Sequence, residues 1–247
     1  TGIYPNSFAL ADFMIKEKLV SPNKVKVIAN GSSNGINTDF FSPNHFSEKN
    51  KLELKQTLTI NETDFVYIFI GRLVSDKGLN ELVQAFKKLQ KEHKNIRLLL
   101  VGNEEPDLDP LLPKTSKIIK DNPAIITTGW VEDVRLYLAI SDVFVFPSYR
   151  EGFPNVVMQA GAMGLPCVVT NINGCNEIIA HEYNGLIVPP KNKEQLEKTM
   201  LILQNDSVLR NKLAENARPN IVKKYQQKIV WQALLDEYNR ILESQIT

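Results

Sequence analysis

Three short stretches place charge beside glycine at points where an apolar run gives out. After residues 65–70 (Phe-Val-Tyr-Ile-Phe-Ile) comes Gly71-Arg-Leu-Val-Ser-Asp-Lys-Gly78, with Arg72 and Lys77 flanking a tight loop ahead of a helical pattern. A glycine that lets the backbone approach, two cations and a helix N-terminus make a phosphate site, each charge-assisted hydrogen bond contributing about 1.5–3 kcal/mol. The same two cations also read as a solvated surface pair.

The second stretch, Gly102-Asn-Glu-Glu-Pro-Asp-Leu-Asp-Pro110, contains an Asp-x-Asp pattern at Asp107 and Asp109 that mimics a metal motif. Its place among prolines, several residues past the preceding apolar run, reads instead as a solvated helix start. The third stretch follows residues 143–146: Pro147-Ser-Tyr-Arg-Glu-Gly-Phe-Pro-Asn155. Gly152 frees the backbone, Pro154 or Asn155 opens a helix, and Val156, Val157, Ala160 and Met163 form its inward face. Asn155 and Gln159, at i and i+4, share the other face with Glu151 just ahead of it. A carboxylate at a helix start by itself partners the helix dipole. The polar stripe and the glycines, whose backbone amides could face an anion, add a functional reading.

These stretches need elements to position them. Apolar runs at 65–70, 96–101, 125–127, 143–146, 167–170 and 186–188 alternate with helical patterns near 79–92, 107–121, 132–140, 155–163 and 175–181. Continuously apolar strands alternating with helices predict an α/β fold: a Rossmann-like parallel sheet with helices on both faces. Ligands of such sheets bind beyond the carboxyl ends of the strands, where all three stretches fall. Past Pro189-Pro190 the pattern becomes a helical C-terminal segment, over 192–204, 207–224 and from about 226. In its last helix Val230, Leu234, Tyr238, Ile241 and Leu242 share an apolar face that needs a cover. Residues 1–44 carry one strand, 24–28, and a helical pattern through Phe8, Leu10, Ala11, Met14, Ile15 and Leu19.

The chain has 247 residues, 43% of them hydrophobic, enough for a substantial core. Lys plus Arg (29) nearly balances Asp plus Glu (28), so no long-range field recruits nucleic acid, and a small-molecule partner is expected. Cys167 and Cys175 are too few for a disulfide framework and point to a reducing, cytoplasmic setting. No Gly-x-Gly-x-x-Gly follows a strand, which disfavours a nicotinamide dehydrogenase. The start at Thr1, without methionine, reads as a piece of a longer protein.

Taken in order, Gly71-Arg-Leu-Val-Ser-Asp-Lys-Gly78, Leu100-Val-Gly102, Thr128-Gly-Trp-Val131, Asp142-Val-Phe-Val-Phe-Pro-Ser148, Glu151-Gly-Phe-Pro-Asn155 and Asn184-Gly-Leu186 resemble one family. It is the donor-binding, C-terminal half of the retaining, GT-B fold glycosyltransferases of family 4, glycosyl transferases group 1. The likeness runs from about residue 24 to 224, and Gly31-Ser-Ser-Asn-Gly35 further resembles the subgroup that builds bacterial capsular polysaccharide and lipopolysaccharide.

The resemblance implies that Arg72 and Lys77 bind the donor diphosphate beside Gly71 and that Glu151 touches the donor sugar, these three charged residues carrying catalysis. It further implies that backbone amides at Gly152, Phe153 and Asn155 hold phosphate or sugar and that Trp130-Val131 lies near the base. One departure stands out: the family's second glutamate, which holds the ribose hydroxyls, is here Gln159. An amide oxygen can still accept one such hydrogen bond, with less charge assistance.

The implied division is an interdomain segment over 1–44, a nucleotide-sugar-binding domain over 45–224 and a crossover helix over 225–247. The N-terminal acceptor domain, with its catalytic histidine, lies outside this chain. His45, His93 and His181 match no motif for that histidine and read as surface residues. The expected reaction moves a sugar from a nucleotide-sugar, a UDP-sugar in the subgroup, to a hydroxyl of a saccharide or lipid-linked saccharide, with retention. No metal and no other cofactor is implied. The whole enzyme is expected in the cytoplasm, with peripheral association at the inner face of the membrane. The isolated piece is expected to bind donor without efficient transfer. A sugar-nucleotide epimerase on the same scaffold and a non-catalytic nucleotide-sugar binding module are the rival readings.

Overall fold

Phe65-Val-Tyr-Ile-Phe-Ile70 is buried at every position but the first, as a strand covered on both faces must be. In the computed structural model, which describes residues 2–105 and 107–246, it is β1 (Phe65–Ile70) at the centre of a sheet. The other strands are β2 (Ile96–Val101), β3 (Ile125–Gly129), β4 (Val143–Phe146), β5 (Cys167–Thr170) and β6 (Gly185–Val188). All six run parallel in the order β3-β2-β1-β4-β5-β6, with Ile70 opposite Val101 and Tyr67 opposite Val143. The chain leaves β1 toward β2 and β3, then returns to its other side for β4. The two central strands therefore flank a topological switch point, where their following loops splay apart and leave a crevice.

Ten α-helices lie among the described residues: α1 (Phe8–Lys16), α2 (Glu48–Thr57), α3 (Leu79–Glu92), α4 (Pro113–Asp121), α5 (Arg135–Ala139), α6 (Asn155–Ala162), α7 (Cys175–Ile178), α8 (Lys193–Asn205), α9 (Ser207–Tyr225) and α10 (Gln227–Ile246). In α3, Leu79, Leu82, Val83, Phe86 and Leu89 recur at helical spacing and are all buried. That helix packs on α4 and α8, whereas α6 packs on α7 and α9. Right-handed crossovers running in opposite directions from β1 put these sets on opposite faces, giving the expected α/β architecture.

Three expectations change. Residues 24–28 form no strand of this sheet: Pro22–Lys24 is a short 3-10 turn, and Val25 makes only an isolated parallel bridge with Ile3. The helix expected over 107–121 begins at Pro113, because the preceding loop is held by other partners. Asp109 accepts backbone hydrogen bonds from Ser75 N (3.1 Å) and Asp76 N (2.6 Å), and Asn80 Oδ1 accepts from Leu112 N (3.1 Å). Helix α2 is an addition to the expected pattern; its signal is the capping box of Ser47 and Asn50, ahead of a segment too polar to show an apolar face.

The apolar arc of α10 is also divided. At about 100° per residue Val230, Leu234 and Ile241 occupy one edge of the arc and face the protein beside buried Glu237. The other edge, Trp231, Leu235, Tyr238 and Leu242, is exposed. No described helix is long and apolar enough to cross a membrane.

Candidate functional site

The loops after β1 and β4 meet across the switch point. Lys77 Nζ lies 2.6 Å from Glu151 Oε1, with the two side chains 14% and 16% exposed. At that burial the pair is shielded from bulk water and the ammonium orients the carboxylate. Glu151 is further fixed by Ser148 Oγ, which donates to Oε1 at 2.9 Å. From the loop after β5, Asn173 Nδ2 donates to the main-chain oxygens of Glu151 (3.2 Å) and Gly152 (3.0 Å). The close approach that brings Lys77 here depends on Gly78. Its φ is +71°, and a Cβ would sit 2.1 Å from Pro147 O on the opposite loop.

Beside this pair a cavity of about 400 Å³ opens between the ends of β1, β2 and β3. Gly71, Arg72, Trp130, Val131 and Gln159 line it, together with Glu105 and Phe40. The size suits a nucleoside-scale ligand. Gly102, with φ +140°, lets β2 end against β1, since a Cβ there would meet Gly71 O at 2.0 Å. Arg72 Nη1 is 2.7 Å from Glu105 Oε2, a contact that raises the guanidinium pKa still further and keeps its charge fixed. Trp130 is 70% exposed at the rim, its main-chain N–H donating to Asn103 Oδ1 at 2.8 Å.

The expected site residues thus fall into two adjoining groups. Gly71, Arg72, Trp130, Val131 and Gln159 share the cavity, while Lys77 and Glu151 form the ion pair next to it, outside the cavity lining. Gly152 follows the pair directly, and Asn155 is the first residue of α6, whose N-terminus no side chain caps. Phe153 packs its ring edge-on to Tyr225, 5.5 Å between centroids.

Sequence reasoning missed Glu105 and Phe40. Phe40 is stacked under Arg135, 3.5 Å from guanidinium carbon to ring centroid, and Arg218 holds the segment by donating to Thr38 O (2.8 Å) and Phe41 O (2.6 Å). These partners lie far along the chain, so no local pattern announces them. Asp109 of the Asp-x-Asp pattern is engaged by Asp76 N, and among the described residues no group of three or more His, Cys, Asp or Glu converges as metal ligands. The three histidines lie off the cavity: His45 contacts Asp39 O (2.7 Å), His93 caps α3, and His181 Nδ1 accepts from Ile187 N (2.9 Å). Cys167 and Cys175 are free, buried thiols whose pKa values burial pushes up, so neither is a ready nucleophile.

Known proteins share this arrangement of elements. The capsular polysaccharide biosynthesis glycosyltransferase CapM of Staphylococcus aureus is 32% identical over 243 residues, covering 98% of this chain and 62% of that protein. The UDP-Gal:alpha-D-GlcNAc-diphosphoundecaprenol alpha-1,3-galactosyltransferase of Escherichia coli is 30% identical over 214 residues, 85% of this chain and 53% of that protein. The chain therefore spans a little over half the length of these relatives. In fold it superposes on the crystal structure of Anabaena HepE in complex with UDP with a TM-score of 0.85, at 20% identity, over 97% of this chain and 64% of that one. Residues 50–219 match the family Glycosyl transferases group 1, and this chain belongs to it, as a C-terminal domain of that family.

Proposed function

We propose that this chain is the donor-binding half of an enzyme that transfers a sugar from a UDP-sugar to a hydroxyl of a lipid-linked saccharide, with retention of configuration. The observation that carries the reading is the junction at the switch point: a nucleoside-sized cavity holding Arg72 adjoins the Lys77–Glu151 pair. A diphosphate bridging the two would meet a cation from each, and the amides at Gly152 and the uncapped start of α6, which follow Glu151 in the chain, would be further donors. On this reading Lys77 exchanges Glu151 for a phosphate oxygen. Glu151, released, accepts from a hydroxyl of the sugar.

As the sugar leaves, negative charge grows on the diphosphate oxygens. Arg72, Lys77 and the oriented amides stabilise it where it develops, the form of stabilisation that contributes most to group-transfer rates. The arrangement asks for no divalent metal. The choice of UDP and of a lipid-linked acceptor draws on the Escherichia coli relative, whose name specifies both. With such an acceptor, the whole enzyme works at a membrane surface. The unit over 45–224 is taken as the donor-binding domain and the last helix as a crossover to an acceptor domain.

Calorimetric titration with UDP, GDP and a panel of UDP-sugars, repeated on Arg72→Ala, tests the reading. Binding of one nucleotide class, weakened about tenfold or more in the variant, is expected. Turnover of donor without an acceptor by the longer enzyme would point to an epimerase. The donor-site reading falls if no nucleotide binds or if Arg72→Ala binds as the parent does.

A further inference from the structure

We propose that Glu105 supplies the ribose-directed carboxylate that the α6 glutamine, Gln159, does not. The inference rests on the donor-site reading and deepens it. Both residues line the same cavity, on opposite sides of the switch point: Gln159 from α6 after β4, Glu105 from the loop after β2. A neutral amide offers a ribose diol one acceptor oxygen without charge assistance; a carboxylate offers two with it.

Glu105 is built into the cavity. Its main-chain oxygen accepts from Leu108 N and Asp109 N, both at 3.4 Å. The same loop is tied to its neighbours on each side, through Leu73 N donating to Asn103 O (2.7 Å) and Trp130 N donating to Asn103 Oδ1 (2.8 Å). Only Oε2 is engaged, by Arg72 Nη1 at 2.7 Å, and among the described residues Oε1 has no hydrogen-bond partner. A guanidinium has five N–H donors in a fixed fork, so Arg72 can keep Glu105 oriented through one nitrogen and reach a phosphate through the others. The carboxylate then lies one guanidinium away from the diphosphate, the position a ribose occupies in a nucleotide.

Two other acids border the cavity. Asp133 is committed to Arg135, which approaches it at 2.6 to 3.0 Å through Nε and Nη2, and Glu132 is exposed at the rim. Glu132 is therefore the natural control.

The test is binding of UDP or GDP, whichever binds more tightly, against its 2′,3′-dideoxy counterpart, measured calorimetrically on the chain and four variants. The parent is expected to prefer the ribose nucleotide by about tenfold or more, and Glu105→Gln to lose most of that preference through weaker ribose binding alone. Adding Gln159→Glu to Glu105→Gln restores it, whereas Glu132→Gln changes nothing. Equal weakening of both nucleotides in Glu105→Gln, tighter binding of both, or no change would each overturn the assignment, because Glu105 would then act only on Arg72 or not at all. Failure of the parent to bind either nucleotide, or indifference to Arg72→Ala, would instead remove the donor site and this inference with it.

Discussion

Lys77 and Glu151, 74 residues apart in sequence, meet at 2.6 Å across the gap between the two central strands. The cation expected to hold phosphate and the carboxylate expected to hold sugar are thus each other's partner. On the proposed donor-site reading each ligand group takes one of them from the other, and this competition gives the two residues opposite signatures. Lys77→Ala should weaken UDP binding about tenfold or more, by loss of a charge-assisted contact. Glu151→Gln should bind UDP as tightly or more tightly, since Lys77 is released, yet transfer sugar far more slowly in the longer enzyme. Calorimetry paired with a transfer assay reads both.

Gly78 sets the distance at which this pair forms. With φ +71° and a Cβ position 2.1 Å from Pro147 O, alanine cannot be accommodated without moving the loop. The left-handed conformation alone costs a non-glycine residue about 1–2 kcal/mol. Gly78→Ala should therefore lower the melting temperature by several degrees and weaken UDP binding, because Lys77 moves with the backbone. Unchanged melting and binding would show that the loop relaxes freely.

Much of the fold is legible in the sequence alone. Six continuously apolar runs between helical patterns specify a parallel sheet, and the rule that such sheets bind at strand ends singled out the loops with Arg72, Lys77 and Glu151. What the sequence hid is long-range or polar. Residues 24–28 look like a strand but find only Ile3 as a partner, and α2 has no apolar stripe to betray it. Phe40 is held at the cavity by Arg135, with Arg218 fixing its neighbours Thr38 and Phe41, and Glu105 is held by Arg72, pairings no local spacing encodes.

The aspartates of the second loop offer a test of metal dependence. Asp109 Oδ2 accepts from Asp76 N at 2.6 Å, holding the turn that carries Lys77. An asparagine oxygen can accept that same bond, whereas a metal ligand loses its charge on the same change. Asp109→Asn should retain most donor binding, Asp109→Ala should lose stability by about 1–3 kcal/mol for the unsatisfied amide, and a chelator should leave transfer by the longer enzyme unaffected. Complete loss of activity with chelator, rescued by added metal, would restore Asp107 and Asp109 as ligand candidates.

The last prediction concerns how α10 is fastened. Glu237, 5% exposed, receives Arg240 Nε and Nη2 at 3.0 and 2.7 Å, the Tyr4 hydroxyl at 2.9 Å and the Lys26 ammonium. Arg240, then Lys26, hold its carboxyl well below the ordinary carboxylate range. A depressed folded-state pKa stabilises the protein above the unfolded value, about 4.3, and that contribution is lost as pH falls through this value toward the folded one. Glu237→Gln should thus melt below the parent at pH 7, with the gap narrowing steadily as the pH is lowered from about 5. Tyr4 and Lys26 lie in the leading segment, so the same change should also loosen residues 2–26 from α10, read as faster amide exchange in both. A gap independent of pH would mean that Glu237 acts through packing and not through its charge.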